Sequence, residues 1–167
     1  IVSRYIMNGI RHLGPESVHN TAVEVIKNPH PCLVGFGLAG DELHFPPNLF
    51  VKTFDMLKNE KFPITVHAGE WDGPENIRNA IRLLHPSRLG HGVRSIEDLN
   101  LIHEIIDKNI VLETCPTSNI ATKIYKNYET HPVKKLFDSG VKITVNSDDP
   151  PFFNASIAGE YKVMKEL

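Results

Sequence analysis

Residues 62–74 read Phe62-Pro63-Ile64-Thr65-Val66-His67-Ala68-Gly69-Glu70-Trp71-Asp72-Gly73-Pro74, and the reading of this stretch decides the fold. Phe62 to Val66 is a run of β-branched and aromatic residues, the composition of a short buried strand. Asp72-Gly73-Pro74 then opens a helix, since proline suits the first helical turn, where a missing N–H costs nothing. A strand that passes directly into a helix is one βα unit. It leaves His67 and Glu70 three positions apart at the strand's carboxyl end, where α/β barrels keep their active sites. The same kind of ending recurs at Arg88-Leu89-Gly90-His91-Gly92 and at Val145-Asn146-Ser147-Asp148-Asp149-Pro150.

Outward from this unit, strand and helix patterns alternate along the chain. Arg4 to Ile10 reads as extended, and Gly14-Pro15-Glu16 opens a helix with Val18, Ala22, Val23 and Ile26 on one side. Cys32 to Phe36 is the next strand, followed by Leu49, Phe50, Phe54 and Leu57 at helical spacing. Ile77, Ala80, Ile81 and Leu84 mark the helix after the strand at Ile64. Ser95-Ile96-Glu97-Asp98 resembles a capping box ahead of the apolar face Leu99, Ile102, Ile105 and Ile106. Ile110 to Leu112 is a strand, Pro132-Val133 starts a helix that ends at Gly140, Val141 to Val145 is the last strand, and a final helix runs towards Leu167. Six strands, each followed by a helix and with few hairpin signals, predict a parallel sheet. An open doubly wound sheet would gather its ligand at one switch point, whereas here candidate residues end several successive strands, 24 residues apart from His67 to His91 and again from His91 to Cys115. The expectation is a single domain over residues 1–167, an incomplete TIM (β/α)8 barrel lacking its first two strands (a full one needs about 250 residues). The chain begins at Ile1 rather than Met and, on this reading, mid-strand, as a fragment would.

Bulk properties narrow the function classes. At 167 residues and 41% hydrophobic the chain can bury a core. A net charge of −2 with no basic stripe speaks against nucleic acid as a partner. No apolar run approaches the roughly 20 residues of a membrane span. Cys32 and Cys115, both in apolar runs, are expected as buried thiols in a reducing, cytoplasmic setting.

Of the nine histidines, His12, His19, His30, His44, His85, His103 and His131 lie in helices or near turns without an acidic partner at telling spacing and are expected to be structural. His67 and His91 differ: each ends an apolar strand with glycine within two residues, which lets a ligand approach the backbone. Asp148 and Asp149 are adjacent acids. Consecutive strand residues point to opposite faces, so both reach one pocket only if the pleat ends there, and Pro150-Pro151 ends it. Two carboxylates at the mouth of a buried strand are costly unless a cation or proton compensates. A divalent metal held by His67 and Asp148, with Glu70 near but off the metal, answers that cost; zinc suits nitrogen and oxygen ligands. A solvated turn capping a helix is the alternative.

Val66-His67-Ala68-Gly69-Glu70, Leu38-Ala39-Gly40-Asp41-Glu42, Leu89-Gly90-His91-Gly92, Thr114-Cys115-Pro116-Thr117-Ser118-Asn119 and Asn146-Ser147-Asp148-Asp149-Pro150 together resemble the adenosine deaminase family of zinc amidohydrolases, and most resemble a bacterial-type member. The resemblance covers nearly the whole chain. It implies a TIM barrel with one zinc per subunit, His67 and Asp148 as two of its ligands, and two further histidines from a His-X-His motif on the first strand. It also implies Glu70 as proton donor to purine N1, His91 as a histidine that polarises the attacking water without ligating metal, Gly40 as a backbone contact to the purine, and Asp149 as the carboxyl facing N7, with a proton shared there because N7 only accepts. The chain has no His-X-His, so on its own it is expected to bind zinc poorly and to be inactive.

The activity implied is hydrolytic deamination of adenosine and 2'-deoxyadenosine to inosine and ammonia by zinc-activated hydroxide attack on purine C6, with a small purine nucleoside as partner and the oligomeric state open. Leu38 to Glu42 and Gly90 lean towards the nucleoside enzyme, and Phe152-Phe153 keeps the free base open. Adenine and aminodeoxyfutalosine deaminases of the same family are alternatives. So is a non-catalytic relic that binds purines or a protein partner, although the five intact residues His67, Glu70, His91, Asp148 and Asp149 count against it.

Overall fold

The computed structural model describes residues 2–167; Ile1 lies outside them, and the first strand starts only at Tyr5, so residues 2–4 are not the strand already under way that the sequence reading expects. Six strands, β1 (Tyr5–Ile10), β2 (Leu33–Ala39), β3 (Ile64–Ala68), β4 (Arg88–His91), β5 (Val111–Thr114) and β6 (Lys142–Val145), form one sheet in chain order, every pair parallel. This is the strand arrangement of a (β/α)8 barrel with a sector absent, as the alternation predicts.

Helices α1 (Pro15–Lys27), α2 (Val51–Asn59), α3 (Pro74–Leu84), α4 (Leu99–Asp107), α5 (Pro116–Ala121), α6 (Val133–Asp138), α7 (Pro150–Phe153) and α8 (Ile157–Glu166) fill the connections. Proline stands in the first turn of α1, α3, α5 and α7, so the dipeptides that break each strand also start the next helix. Phe36, Leu38, Val66, Ala68, Leu89 and Leu112 face the helices and pack with Phe54, Leu57, Ile77, Leu84 and Ile105 into one buried core. The alternate strand residues are polar and meet on the inner side. Thr65 Oγ1 donates to Glu113 Oε2 at 2.7 Å, and Arg88 donates from Nε to Glu113 Oε1 at 2.5 Å and from its terminal nitrogen to Thr144 Oγ1 at 3.3 Å. The period of two that defines a strand thus sorts oil to the helices and hydrogen bonds to the barrel interior.

Three local expectations need correction. Ser95 is no capping-box residue: it lies in a 3-10 turn over Val93–Glu97, and Asp98 itself caps α4, accepting from Asn100 N and Leu101 N. The patterns coincide because Asp98 fits either role until its extended backbone, φ −144 and ψ 107, is known. Only Cys115 of the two thiols is buried; Cys32 is half-buried in the turn before β2. On α1 it is Val25, not Val23, that joins Val18 and Ala22 in the core.

Candidate active site and metal centre

The carboxyl ends of the strands open into one cleft of about 590 Å3, lined by Gly40, His67, Glu70, His91, Asp148 and Asp149 together with Asp41, Glu42, Trp71 and Phe153. All six residues singled out from the sequence therefore converge. Asp148 and Asp149 share the cleft because β6 stops at Val145 and Asp148 takes a left-handed backbone, φ +55, that breaks the alternation. His91 is also left-handed, φ +59. Such backbones cost a non-glycine residue of order 1 kcal/mol or more and persist where surroundings impose them.

His67 points inward from β3, in register with Gly90 on β4. A Cβ at residue 90 would lie 2.7 to 2.9 Å from three atoms of the His67 ring, so only glycine there lets the imidazole lie against the backbone. The rings of His67 and His91 meet edge to face with centroids 5.2 Å apart. Burial holds His67 below the ordinary imidazole range and takes His91 down to about 3, with His67 and His131 adding to the latter. Both are neutral imidazoles at physiological pH, the form that binds metals.

Glu70 is 14% exposed and its carboxyl is pushed up to about 7, first by burial and then by the charges of Asp148 and Glu42. It stands 3.5 Å from His91 Nε2, which is 3.7 Å from Asp148 Oδ2. Ser118 Oγ donates to that same Asp148 oxygen at 2.6 Å. The arrangement presents a protonatable carboxyl, a neutral imidazole and a fixed carboxylate to one point in space.

Glu42, which sequence reasoning quoted only as part of a motif, builds the loop that carries Glu70. Its carboxylate is 2% exposed and accepts the backbone N–H groups of Gly69, Glu70, Trp71 and Asp72, three of them at 2.8 to 2.9 Å. Arg11, fully buried, donates to the carbonyls of His67 at 2.6 Å and Phe45 at 3.2 Å, and burial lowers its pKa to about 10. Of the histidines expected to be structural, His44 does have an acidic partner, pairing with Asp41 at 2.7 Å, and His131 is buried and hydrogen-bonded to Asn119. The contacts that single out Asn119 and His131 run over long sequence separations, so no local pattern announces them.

The donor set fits a cation. His67 Nδ1 is buried without a hydrogen-bond partner among the described residues, in a cleft that also holds the carboxyl of Glu70, which burial makes costly to ionise. Donor atoms of His91, Cys115 and Asp148 lie within 4.8 Å of one another. That group differs from the pair expected from the sequence, since it includes His91 and Cys115 and omits His67. Burial pushes the Cys115 thiol far up, and a thiol binds metal as its thiolate, so Cys115 is the weakest of these donors.

A family model described as adenosine deaminase matches residues 1–167. The chain is 45% identical over 163 residues to an adenine deaminase of Sinorhizobium medicae, covering 98% of this chain and 50% of that protein. It is 44% identical over 161 residues to an adenine deaminase of Agrobacterium fabrum, covering 96% and 50%. The chain spans about half the length of the curated relatives it matches. In three dimensions it is similar to an adenine deaminase from Arthrobacter aurescens (TM-score 0.91, 24% identity, 98% of this chain and 50% of that one). It is also similar to an amidohydrolase from Burkholderia ambifaria described with bound Zn (TM-score 0.89, 26% identity, 97% and 46%). Adenine, not adenosine, is thus the substrate in the names of the two curated relatives and of the Arthrobacter aurescens structure.

Proposed function

Because the chain belongs to the adenosine deaminase family, we propose that it carries the proton-transfer half of a site that hydrolyses the 6-amino group of a purine, with free adenine as substrate. The observation that carries the reading is the buried carboxyl of Glu70, held near pH 7 beside a neutral His91 and the Asp148 carboxylate. The base is preferred over the nucleoside expected from the motifs because the relatives at 44–45% identity bear the name adenine deaminase.

His67 and Asp148 are the residues that would hold a divalent metal, zinc being the ion that suits imidazole and carboxylate. When bound, such an ion supplies Lewis acidity that brings the pKa of water to about 7. The chain's own residues do the rest. As a water oxygen bonds to C6, electron density moves onto ring nitrogen N1, and Glu70, still protonated near neutral pH, delivers its proton there. The attacking water gives one proton to the Asp148 carboxyl group, which passes it to the amino nitrogen. The C6–N bond then breaks, ammonia leaves, and the new C6 hydroxyl returns its proton to Glu70 as hypoxanthine forms. His91, neutral and buried, orients the attacking water without adding charge. The backbone of Gly40 and the carboxyl of Asp149 hold the ring from the β2 and β6 ends of the cleft. Free adenine can carry a proton on N7 and so donate there, whereas a nucleoside offers N7 only as an acceptor.

Turnover of adenine and adenosine by the full-length gene product separates the readings. Adenine should be preferred by about 10²-fold or more in kcat/KM, in line with sites that discriminate by buried polar groups. Equal or better turnover of adenosine overturns the base preference, and no ammonia from either overturns the deaminase reading.

A further inference from the structure

We infer that Asn119 fixes the tautomer of His91, through a chain of hydrogen bonds whose direction is set by one backbone N–H outside the cleft. The chain starts at Val133, whose backbone N–H can only donate and does so to His131 Nδ1 at 3.2 Å. His131 Nδ1 is therefore the lone-pair nitrogen, and in a neutral ring the proton sits on Nε2. That N–H points at Asn119 Oδ1, 3.1 Å away. The amide of Asn119 is thereby oriented: its oxygen faces His131 and its NH2 faces the cleft. Nδ2 stands 3.2 Å from His91 Nδ1 and 3.5 Å from Glu70 Oε1, so its two hydrogens are aimed at the two candidate proton-handling groups. His91 Nδ1 must accept, which leaves its proton on Nε2, directed towards Glu70 Oε2 and Asp148 Oδ2.

The reverse orientation fails on donor counting. A flipped Asn119 would turn its NH2 to His131 Nε2, which would then have to accept, placing the His131 proton on Nδ1 against the Val133 N–H. Two donors would face each other inside a buried pocket, at a cost of about 1–3 kcal/mol for the unmade bond. Asn119, His91 and His131 are all under 5% exposed, so water offers no alternative partner. Burial also lowers His131 to about 4, consistent with one proton on that ring at neutral pH. Asn119 is a positioning residue: it touches no reacting atom and acts through His91 and Glu70. The inference rests on the deaminase reading for its catalytic consequence and on geometry alone for the tautomer.

The tautomer is read in the full-length protein by long-range 1H–15N NMR with 15N-labelled histidine, without substrate. The expected result is a His91 proton on Nε2 with Nδ1 as the unprotonated nitrogen. A proton on Nδ1, or a metal-shifted Nε2, overturns the inference. Asn119→Asp offers oxygen to both imidazoles and should move the His91 proton to Nδ1. It should lower kcat about 10²-fold or more, the scale of a misdirected general acid or base, with KM changed less than about threefold and metal content unchanged. His131→Leu should share this loss, and His131→Gln, whose amide can still donate to Asn119 Oδ1, should recover at least about tenfold of it. An Asn119→Asp protein with wild-type kcat, or a His131→Gln protein no better than His131→Leu, refutes the relay. A wild-type protein inactive on every 6-aminopurine would sink the deaminase reading instead and leave the NMR assignment standing.

Discussion

Replacing Glu70 by Gln should stabilise the metal-free protein at pH 8 and leave it nearly unchanged at pH 4. The fold moves this carboxyl from an ordinary 4.5 to about 7, which at 1.36 kcal/mol per pH unit amounts to about 3 kcal/mol of resistance to ionisation. The sign follows from proton counting. Between these two values the unfolded chain has released the Glu70 proton while the folded chain keeps it, so stability falls as pH rises from about 4.5 to 7 and then levels off. Gln carries no proton to lose and removes that slope. Since the side chain is 14% exposed, little of the effect is screened away, and 3 kcal/mol is a large share of a typical domain's stability. The assay is urea denaturation of full-length wild-type and variant proteins after chelation, at half-unit steps from pH 4 to 8; chelation matters because a bound cation would itself draw the proton off. The difference between the two curves should open by about 2–3 kcal/mol across that range. Parallel curves would show that Glu70 titrates like a solvated carboxyl, and the case for it as a proton donor at neutral pH would fall with them.

Two further substitutions probe the frame around the site. Gly90→Ala pushes a methyl into the His67 ring and should cost about 1–3 kcal/mol while weakening metal affinity; thermal unfolding and metal titration unchanged from wild type would mean the ring does not lie where it is drawn. Glu42→Gln replaces a carboxylate that accepts four backbone N–H groups by an amide with one oxygen, and should lower stability by about 1–3 kcal/mol and lower kcat through a loosened 69–72 loop. Full activity with full stability in urea would remove Glu42 from any role in holding Glu70.

What the sequence made legible was whatever local chemistry dictates. β-Branched runs, proline at helix starts and glycine after strands place five of the six strands within a residue or two, and β2 within three at its carboxyl end, because each signal acts on its own neighbourhood. His67, Glu70, His91, Asp148 and Asp149 were legible for a related reason: His67 and His91 lie in the last two residues of β3 and β4, Glu70, Asp148 and Asp149 follow a strand's end by two to four residues, and parallel strands bring their ends together. Glu42, Asn119 and His131 were not. Their partners lie 27 to 30, 28 and 49, and 12 residues away respectively, and a single buried polar residue, in a loop (Glu42, His131) or on the short helix α5 (Asn119), has no period to betray it. Arg11 was missed likewise, its bond to the His67 carbonyl spanning 56 residues. No helix among the described residues is long and apolar enough to cross a membrane.

The most direct test of the account is the position of the metal in crystals of the full-length protein, located by anomalous scattering at the zinc edge. A single peak within bonding distance of His67 and Asp148, about 2.0–2.2 Å from nitrogen or oxygen, with Glu70 and Cys115 unbound, is the predicted result. A peak held by His91 and Cys115, with the His67 imidazole turned away from it, would contradict the convergence on which the proposed chemistry stands.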